Sequence, residues 1–271
     1  MNTIVNKKTK LGVIGCGKMA QAILGGIVKN NFLDSNNVFV YDVNNEMSEK
    51  LSLDFGFNKV SSISDILKFT DTLLLAIKPF VVENVLKEIK NEYNNQLVLS
   101  IAAGAKIEKY KNAISNIKIV RIMPNTPALV NCGMSAVCCD ESINNDEKDF
   151  ALNFMKNCGK AIFVTEDKMD IITALSASGP AFYYRLIDLM AKSAAKLGLP
   201  YEEAIILSAQ TALGSAKMIF ENDCSVEQLI KNVTTKGGCT EAGNNVLDNS
   251  NINEILDKTI KKTMEKAVAL G

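Results

Sequence analysis

The chain has 271 residues, 47% of them hydrophobic and 22% charged, which is enough for two packed domains. Thirty Lys and Arg balance thirty Asp and Glu, so no overall field would gather a nucleic acid or an anionic membrane, and a small-molecule partner is expected. There is no histidine, which excludes Ser/His/Asp triads, His-ligated zinc and His-based hydroxy-acid dehydrogenation.

The elements follow a clear order. Lys10 to Ile14 is a short apolar run that ends in glycines, and a helical pattern follows from Lys18 to Lys29. Val38 to Tyr41 is a second β-rich run, and Thr72 to Ile77 a third, stopped by Lys78-Pro79. Leu97 to Ile101 and Lys118 to Met123 are the fourth and fifth. Fully apolar strands separated by helical stretches predict a parallel sheet with helices on both faces. After Thr165 the pattern turns helical, with amphipathic stretches over Ala181 to Leu197, Tyr201 to Phe220 and Asn253 to Ala269. The expected organisation is an α/β domain over residues 1–167 and an all-α domain over 168–271, the latter completed by a second copy of the chain.

Seven scattered cysteines without a CxxC pair read as reduced thiols, and no metal site is expected. No apolar run reaches the roughly 18 residues of a membrane span. The polar, lysine-bearing start does not read as a signal peptide, so the expected location is the cytoplasm.

The sharpest local feature is Gly15-Cys16-Gly17-Lys18-Met19-Ala20, between the strand LGVI and a helix. This is G-x-G-x-x-A in its required context. The first glycine permits a tight turn, the second lets a pyrophosphate approach the backbone, and Ala20 lets the helix lie close to the sheet. A dinucleotide-binding Rossmann domain is therefore expected. Asp42 ends the next strand, about 20 residues on, where a carboxylate accepts hydrogen bonds from an unmodified ribose. No Arg follows it, only Val43, Asn44 and Asn45, so the sequence leans to NADH. The alternative for Asp42 is a cap on the following helix.

Other loops at strand ends would face the same crevice: Ala76-Ile77-Lys78-Pro79, Ala102-Ala103-Gly104 and Pro124-Asn125-Thr126-Pro127. In the helical half, Asn232 to Thr240 places two glycines among three threonines ahead of a helix. It reads either as an anion-binding turn or as a plain connection capped by Thr240.

Taken in order, GVIGCGKMAQAILGG, AIKP, SIAAGA, RIMPNTPALV, SASGPAF, ALGSAKM and NVTTKGGCTEAG closely resemble pyrroline-5-carboxylate reductase, from Leu11 to Ala267. The resemblance implies reduction of 1-pyrroline-5-carboxylate to proline with NADPH or NADH, by a homodimer or a ring of dimers. It implies dinucleotide contacts at Gly15, Cys16, Gly17, Lys18, Met19, Ala20, Asp42 and Asn44. Ala76, Ile77, Lys78, Pro79, Ala102, Ala103 and Asn125 would follow on the nicotinamide side. Substrate contacts implied by the resemblance are Gly237, Gly238, Thr235 and Thr240 on the carboxylate, with Asn232, Thr173 and Glu166 bordering the site. Thr240 would also be the catalytic hydroxyl.

The missing histidine fits such a reaction, because a protonated imine carbon accepts hydride without an acid driving a proton onto oxygen. Three departures stand out. The family's loop reads Ser-Pro-Gly-Gly-x-Thr, and here Thr235 and Lys236 replace its first two residues; Phe182 stands where tyrosine is common; and Asp42 replaces Ser, Thr or Asn. One rival is a related dehydrogenase or imine reductase, which would carry a lysine in the Ser178 to Leu189 stretch, where none lies. A second is a dinucleotide-sensing module without turnover.

Overall fold

A computed structural model describes residues 8–270. Two compact units divide the chain, one running to Ser178 and resuming at Thr263, the other spanning Gly179–Lys262.

The first unit is built on eight strands: β1 (Leu11–Ile14), β2 (Val38–Tyr41), β3 (Asn58–Lys59), β4 (Thr72–Leu75), β5 (Leu97–Ser100), β6 (Lys118–Met123), β7 (Gly133–Cys139) and β8 (Gly159–Phe163). Their spatial order is β3-β2-β1-β4-β5-β6-β7-β8. The first six run parallel, β7 runs against β6, and β8 follows β7. The chain winds outward from β1 in both directions, so the order reverses between β1 and β4. Sheets of this kind bind ligands at such a reversal, outside the carboxyl ends of the strands.

Side-chain alternation explains the two layers. Leu11, Val13, Leu74, Leu97, Leu99, Val120 and Ile122 share one face and pack with helix α1 (Lys18–Lys29), α2 (Asn45–Phe55) and α6 (Asn145–Lys156). Ile14, Leu73, Leu75, Val98, Ile119 and Met123 point the other way, onto α3 (Ile63–Phe69), α4 (Val82–Ile89), α5 (Ile107–Ala113) and Met169 of α7 (Met169–Ile172). Each of these aliphatic side chains stabilises the sheet by about 1.5–3 kcal/mol through leaving water. Both faces are apolar, as a covered parallel sheet requires.

The five expected strands are present, and β3, β7 and β8 are additional. β3 has only two residues, and β8 is an edge strand whose Lys160, Ile162 and Phe163 are exposed, so neither carries a clear apolar signature. The sequence set a boundary at 167/168, whereas the contacts keep residues through Ser178 with the sheet. Met169 and Ala174 are buried there, on either side of the step into a π-helical turn at Thr173–Ala177.

The second unit consists of α8 (Gly179–Lys196), α9 (Tyr201–Glu221), α10 (Val226–Val233), α11 (Cys239–Asp248) and the start of α12 (Ile252–Leu270). Its only buried residues are Gly179, Ala191 and Ala204, while Met190, Ile206, Leu213 and Phe220 are all more than half exposed. Helices carrying that much open apolar surface have no core of their own and need another chain to cover them. No helix among the described residues is long and apolar enough to cross a membrane.

Candidate active site

The turn between β1 and α1 is shaped by two glycines with different duties. Gly15 takes φ +99° and donates its N–H to the Tyr41 carbonyl at 2.9 Å. A Cβ there would stand 2.5 Å from the Ala76 carbonyl oxygen, so the residue permits both the left-handed turn and the close approach of the β4 end. Gly17, in contrast, has ordinary extended backbone, and a Cβ on it would meet nothing within 4 Å. Its missing side chain serves open space. Cys16 between them is buried, and its thiol is pushed up to about 12, first by burial and then by the Asp42 carboxylate, which favours the protonated thiol. The Gln21 side-chain amide braces the turn from behind, donating to the Cys16 carbonyl at 3.0 Å.

α1 begins without a side-chain cap and without an acid in its first turn. The N–H groups of Lys18, Met19 and Ala20 therefore point outward with no intrahelical acceptor, at the positive end of the helix dipole. By comparison α2, α3, α6 and α10 are each capped by an Asn or Ser side chain. An uncapped helix start beside a glycine with empty space fits a pyrophosphate. The residues present fit a dinucleotide.

Asp42 is placed differently from both alternatives taken singly. Its Oδ2 accepts from Cys16 N–H at 2.7 Å and its Oδ1 from Asn44 N–H at 2.9 Å. The carboxylate thus ties the glycine turn to the end of β2. The cap of α2 is Asn44, whose side chain accepts from Glu46 N–H at 3.0 Å. Asp42 is not the cap, and the Asn44 carbonyl is committed to the helix. Each Asp42 oxygen keeps a further lone-pair direction for a ribose hydroxyl.

The other expected loops lie on the same edge. Ala76 donates to the Ile14 carbonyl at 2.9 Å and Ile101 to the Leu75 carbonyl at 3.1 Å, which continues the β1–β4–β5 ladder to the loop mouths. Beyond, Ile77 is half-buried, Lys78 is exposed and Pro79 opens a short 3-10 turn; Ala102 is buried and Ala103 exposed. Asn125, at the end of β6, is occupied with structure. Its side chain accepts from Met134 N–H at 2.8 Å and donates to the Ser176 carbonyl at 3.2 Å.

Glu166 and Thr173 lie in the segment that follows β8. Glu166 Oε1 accepts from Arg121 at 3.0 Å and from Ile107 N–H at 2.8 Å. Arg121 is 1% exposed, and its Nε and second terminal nitrogen have no partner. The Thr173 hydroxyl donates to the Met169 carbonyl at 2.7 Å.

In the second unit the expected residues gather on the connection from α10 to α11. Asn232 accepts from the Gln228 side chain at 2.8 Å. Gly238 N–H closes a turn on the Thr235 carbonyl at 2.9 Å, with Gly237 at φ +72°. Gly238 precedes α11 as its cap residue, without a side-chain cap bond, and Thr235 and Thr240 are exposed. The hydroxyls of Thr235 and Thr240 have no hydrogen-bond partner among the described residues.

Three residues escaped the sequence reading: Gln21, Arg121 and Glu241. Arg121 left a signal, a cation in the middle of the strand KIVRIM, because a charge in a covered strand demands a partner. Glu241 left a weaker one, an acid in the first turn of a helix.

Residues 166–270 match a family model described as pyrroline-5-carboxylate reductase dimerisation, and residues 10–104 one described as NADP oxidoreductase, coenzyme F420-dependent. The chain is 33% identical to the pyrroline-5-carboxylate reductase of Escherichia coli (strain K12), over 97% of its own length and 98% of the relative. The solved pyrroline-5-carboxylate reductase of Coxiella burnetii superposes with a TM-score of 0.93 at 31% identity, covering 97% of this chain and 98% of that one. A Plasmodium falciparum pyrroline carboxylate reductase solved with NADP bound gives 0.85 at 31% identity, with 98% and 99% covered.

Proposed function

The chain belongs to the pyrroline-5-carboxylate reductase family, and from that premise we propose how its residues reduce the imine of 1-pyrroline-5-carboxylate to L-proline, the last step of proline biosynthesis. It is an oxidoreductase that acts on a C=N bond and uses NAD(P)H. The observation that carries the reading is the uncapped α1 start, with open space at Gly17 and the reversal of strand order between β1 and β4.

In this reading residues 1–167 hold the dinucleotide and residues 168–271 hold the substrate and the dimer. The amides of Lys18 to Ala20 take the phosphates, and Asp42 takes the ribose. Ala76 to Pro79, Ala102 and Ala103 line the mouth, and Asn125 stiffens it. The bound dinucleotide supplies the hydride. The turn from Thr235 to Thr240 holds the substrate carboxylate through backbone N–H groups and hydroxyls. The family resemblance also assigns Asn232, Thr173 and Glu166 to the substrate. The Thr240 hydroxyl, without a hydrogen-bond partner among the described residues, faces the ring nitrogen and keeps the iminium proton in place while the carbon becomes tetrahedral. No side chain must donate a proton to oxygen, which is why the chain manages without histidine.

Steady-state oxidation of NADH and of NADPH with 1-pyrroline-5-carboxylate tests the reading. Turnover with proline as product is expected, and dinucleotide binding without turnover would make the chain a sensing module. Thr240→Ala is expected to lower kcat/KM by about 10²-fold, the size of a lost oriented hydroxyl, with the melting temperature unchanged. An unchanged kcat/KM would remove Thr240 from the mechanism.

Asp42 sets the cofactor preference. A second anion at a carboxylate costs affinity, so NADH is the favoured donor. Asp42→Ser is expected to move the NADPH/NADH ratio of kcat/KM upward by about tenfold, as one unfavourable charge contact of roughly 1.4 kcal/mol would. An unaltered ratio would confine Asp42 to tying the turn.

The open apolar faces of α8 and α9 support a homodimer, or a ring of such dimers. The free thiols support a cytoplasmic location.

A further inference from the structure

The substrate turn lacks the proline that stiffens it in the family, and the structure offers a replacement. Thr235 to Gly238 form a β-turn closed by Gly238 N–H on the Thr235 carbonyl at 2.9 Å. Gly237 takes φ +72° and Lys236 is not among the residues of positive φ. That is the type II pattern, with glycine at the third position and Lys236 at the second, where proline is favoured because it presets φ. Lysine leaves this φ free. A Cβ at Gly238 would press on Thr235, so the turn is also tight.

Across it runs one further restraint. The Glu241 carboxylate, in the first turn of α11, accepts from Gly237 N–H at 2.8 Å. It thereby pins the one peptide that a type II turn can flip. We propose that Glu241 is a positioning residue for the substrate. Its clip on Gly237 does the work of the missing turn proline and holds the free amides of Cys239 and Thr240 ready for the carboxylate. This rests on the reading of the turn as the carboxylate site.

The alternative role for the same side chain is a competitor, an internal carboxylate that the substrate must displace or endure. The two roles predict opposite signs. A clip lost raises KM, whereas a competitor lost lowers it.

The test is steady-state kinetics on the full-length oligomer. Glu241→Ala is expected to raise KM for 1-pyrroline-5-carboxylate about fivefold, the worth of one exposed charge-assisted hydrogen bond, with kcat nearly unchanged. Glu241→Gln keeps an acceptor without the charge and should recover most of the affinity. Lys236→Pro placed in the Glu241→Ala background should also recover it, because Lys236 N–H has no acceptor that proline would remove.

Hydrogen exchange of the peptide spanning the turn gives a readout independent of turnover, and faster exchange in Glu241→Ala is expected. Lower KM in both Glu241 variants would establish the competitor instead. Unchanged KM and exchange in Glu241→Ala, or failure of Lys236→Pro to rescue, would overturn the clip. Wild-type protein that exchanges as expected but turns over no imine would overturn the functional reading, not the clip.

Discussion

Glu166→Ala is expected to destabilise the first unit by about 3 kcal/mol, the low end for stripping the partner from a buried charge. Arg121 lies at the middle of β6, opposite Ser100 on β5 and Cys138 on β7, and is 1% exposed. Its alternation with Ile119 and Met123 turns it onto the face covered by α5 and Met169. Glu166 reaches it there and also accepts Ile107 N–H, so one carboxylate oxygen serves two donors. The positive charge is felt by its neighbours. Burial pushes the Tyr110 hydroxyl up to about 12, with the Ser100 hydrogen bond and then Arg121 pulling the other way. Removing the carboxylate leaves a guanidinium with no countercharge in apolar surroundings. Because the Glu166 side chain is itself 32% exposed, water can partly replace it, which keeps the cost near the lower limit.

Thermal unfolding should show this as a fall in Tm of about 6–12 °C for a chain of this size. The double variant Arg121→Met with Glu166→Gln removes the charge and its partner together, and should regain most of the loss. If the double variant is as unstable as Glu166→Ala, the pair is not the cause. KM measured well below the transition separates this role from the proposed place of Glu166 at the rim of the substrate site.

That residue also shows where a sequence stops being informative. The glycine turn was legible because everything it needs is local: an apolar strand, two glycines with three-residue spacing to a small residue, and a helix over Lys18–Lys29, whose observed ends match the pattern. The long helices were legible for the same reason, since periodicity repeats within each one. β7 was not, because small residues dominate GMSAVCC and give no clear period, and its burial is decided by β6 and β8 on either side. Arg121 and Glu166 stand 45 residues apart, and nothing near either names the other.

Asp42 and Asn44 illustrate a subtler limit. Both are good helix caps by type, and only the three-dimensional path of the chain decides that Asn44 caps α2 while Asp42 turns back to Cys16. The turn around Gly237 reads in sequence as an anion-binding turn or a plain connection, and the clip from Glu241 was missed, because an acid four residues on reads first as an ordinary helix-dipole residue. In the second unit the exposed apolar faces give the same message in sequence and structure: the helices are patterned for a partner.

Alanine at Gly15 and at Gly17 should separate folding from dinucleotide binding within one turn. Gly15→Ala must adopt φ +99°, a region that costs a non-glycine residue about 1–3 kcal/mol, and its Cβ must fit against the Ala76 carbonyl 2.5 Å away. Neither neighbour can yield cheaply, because Ala76 N–H is bonded to Ile14 and Gly15 N–H to Tyr41, both at 2.9 Å. The strain therefore enters the β1–β4 junction itself. Gly15→Ala is expected to lose several degrees of Tm and to weaken dinucleotide affinity about 10²-fold or more, by moving the amides of Lys18 to Ala20 off their common aim. Gly17→Ala has ordinary backbone and open space around its new methyl, so its Tm should stay within about a degree of wild type, as for an unstrained surface substitution. The methyl nevertheless occupies the space that a pyrophosphate would enter, and dinucleotide affinity should still fall about tenfold or more. Equilibrium titration with NADH, followed by fluorescence, measures both. A Gly17→Ala protein that binds NADH as wild type does would mean that the space at Gly17 is not where the phosphates lie, and the cofactor placement would have to be redrawn.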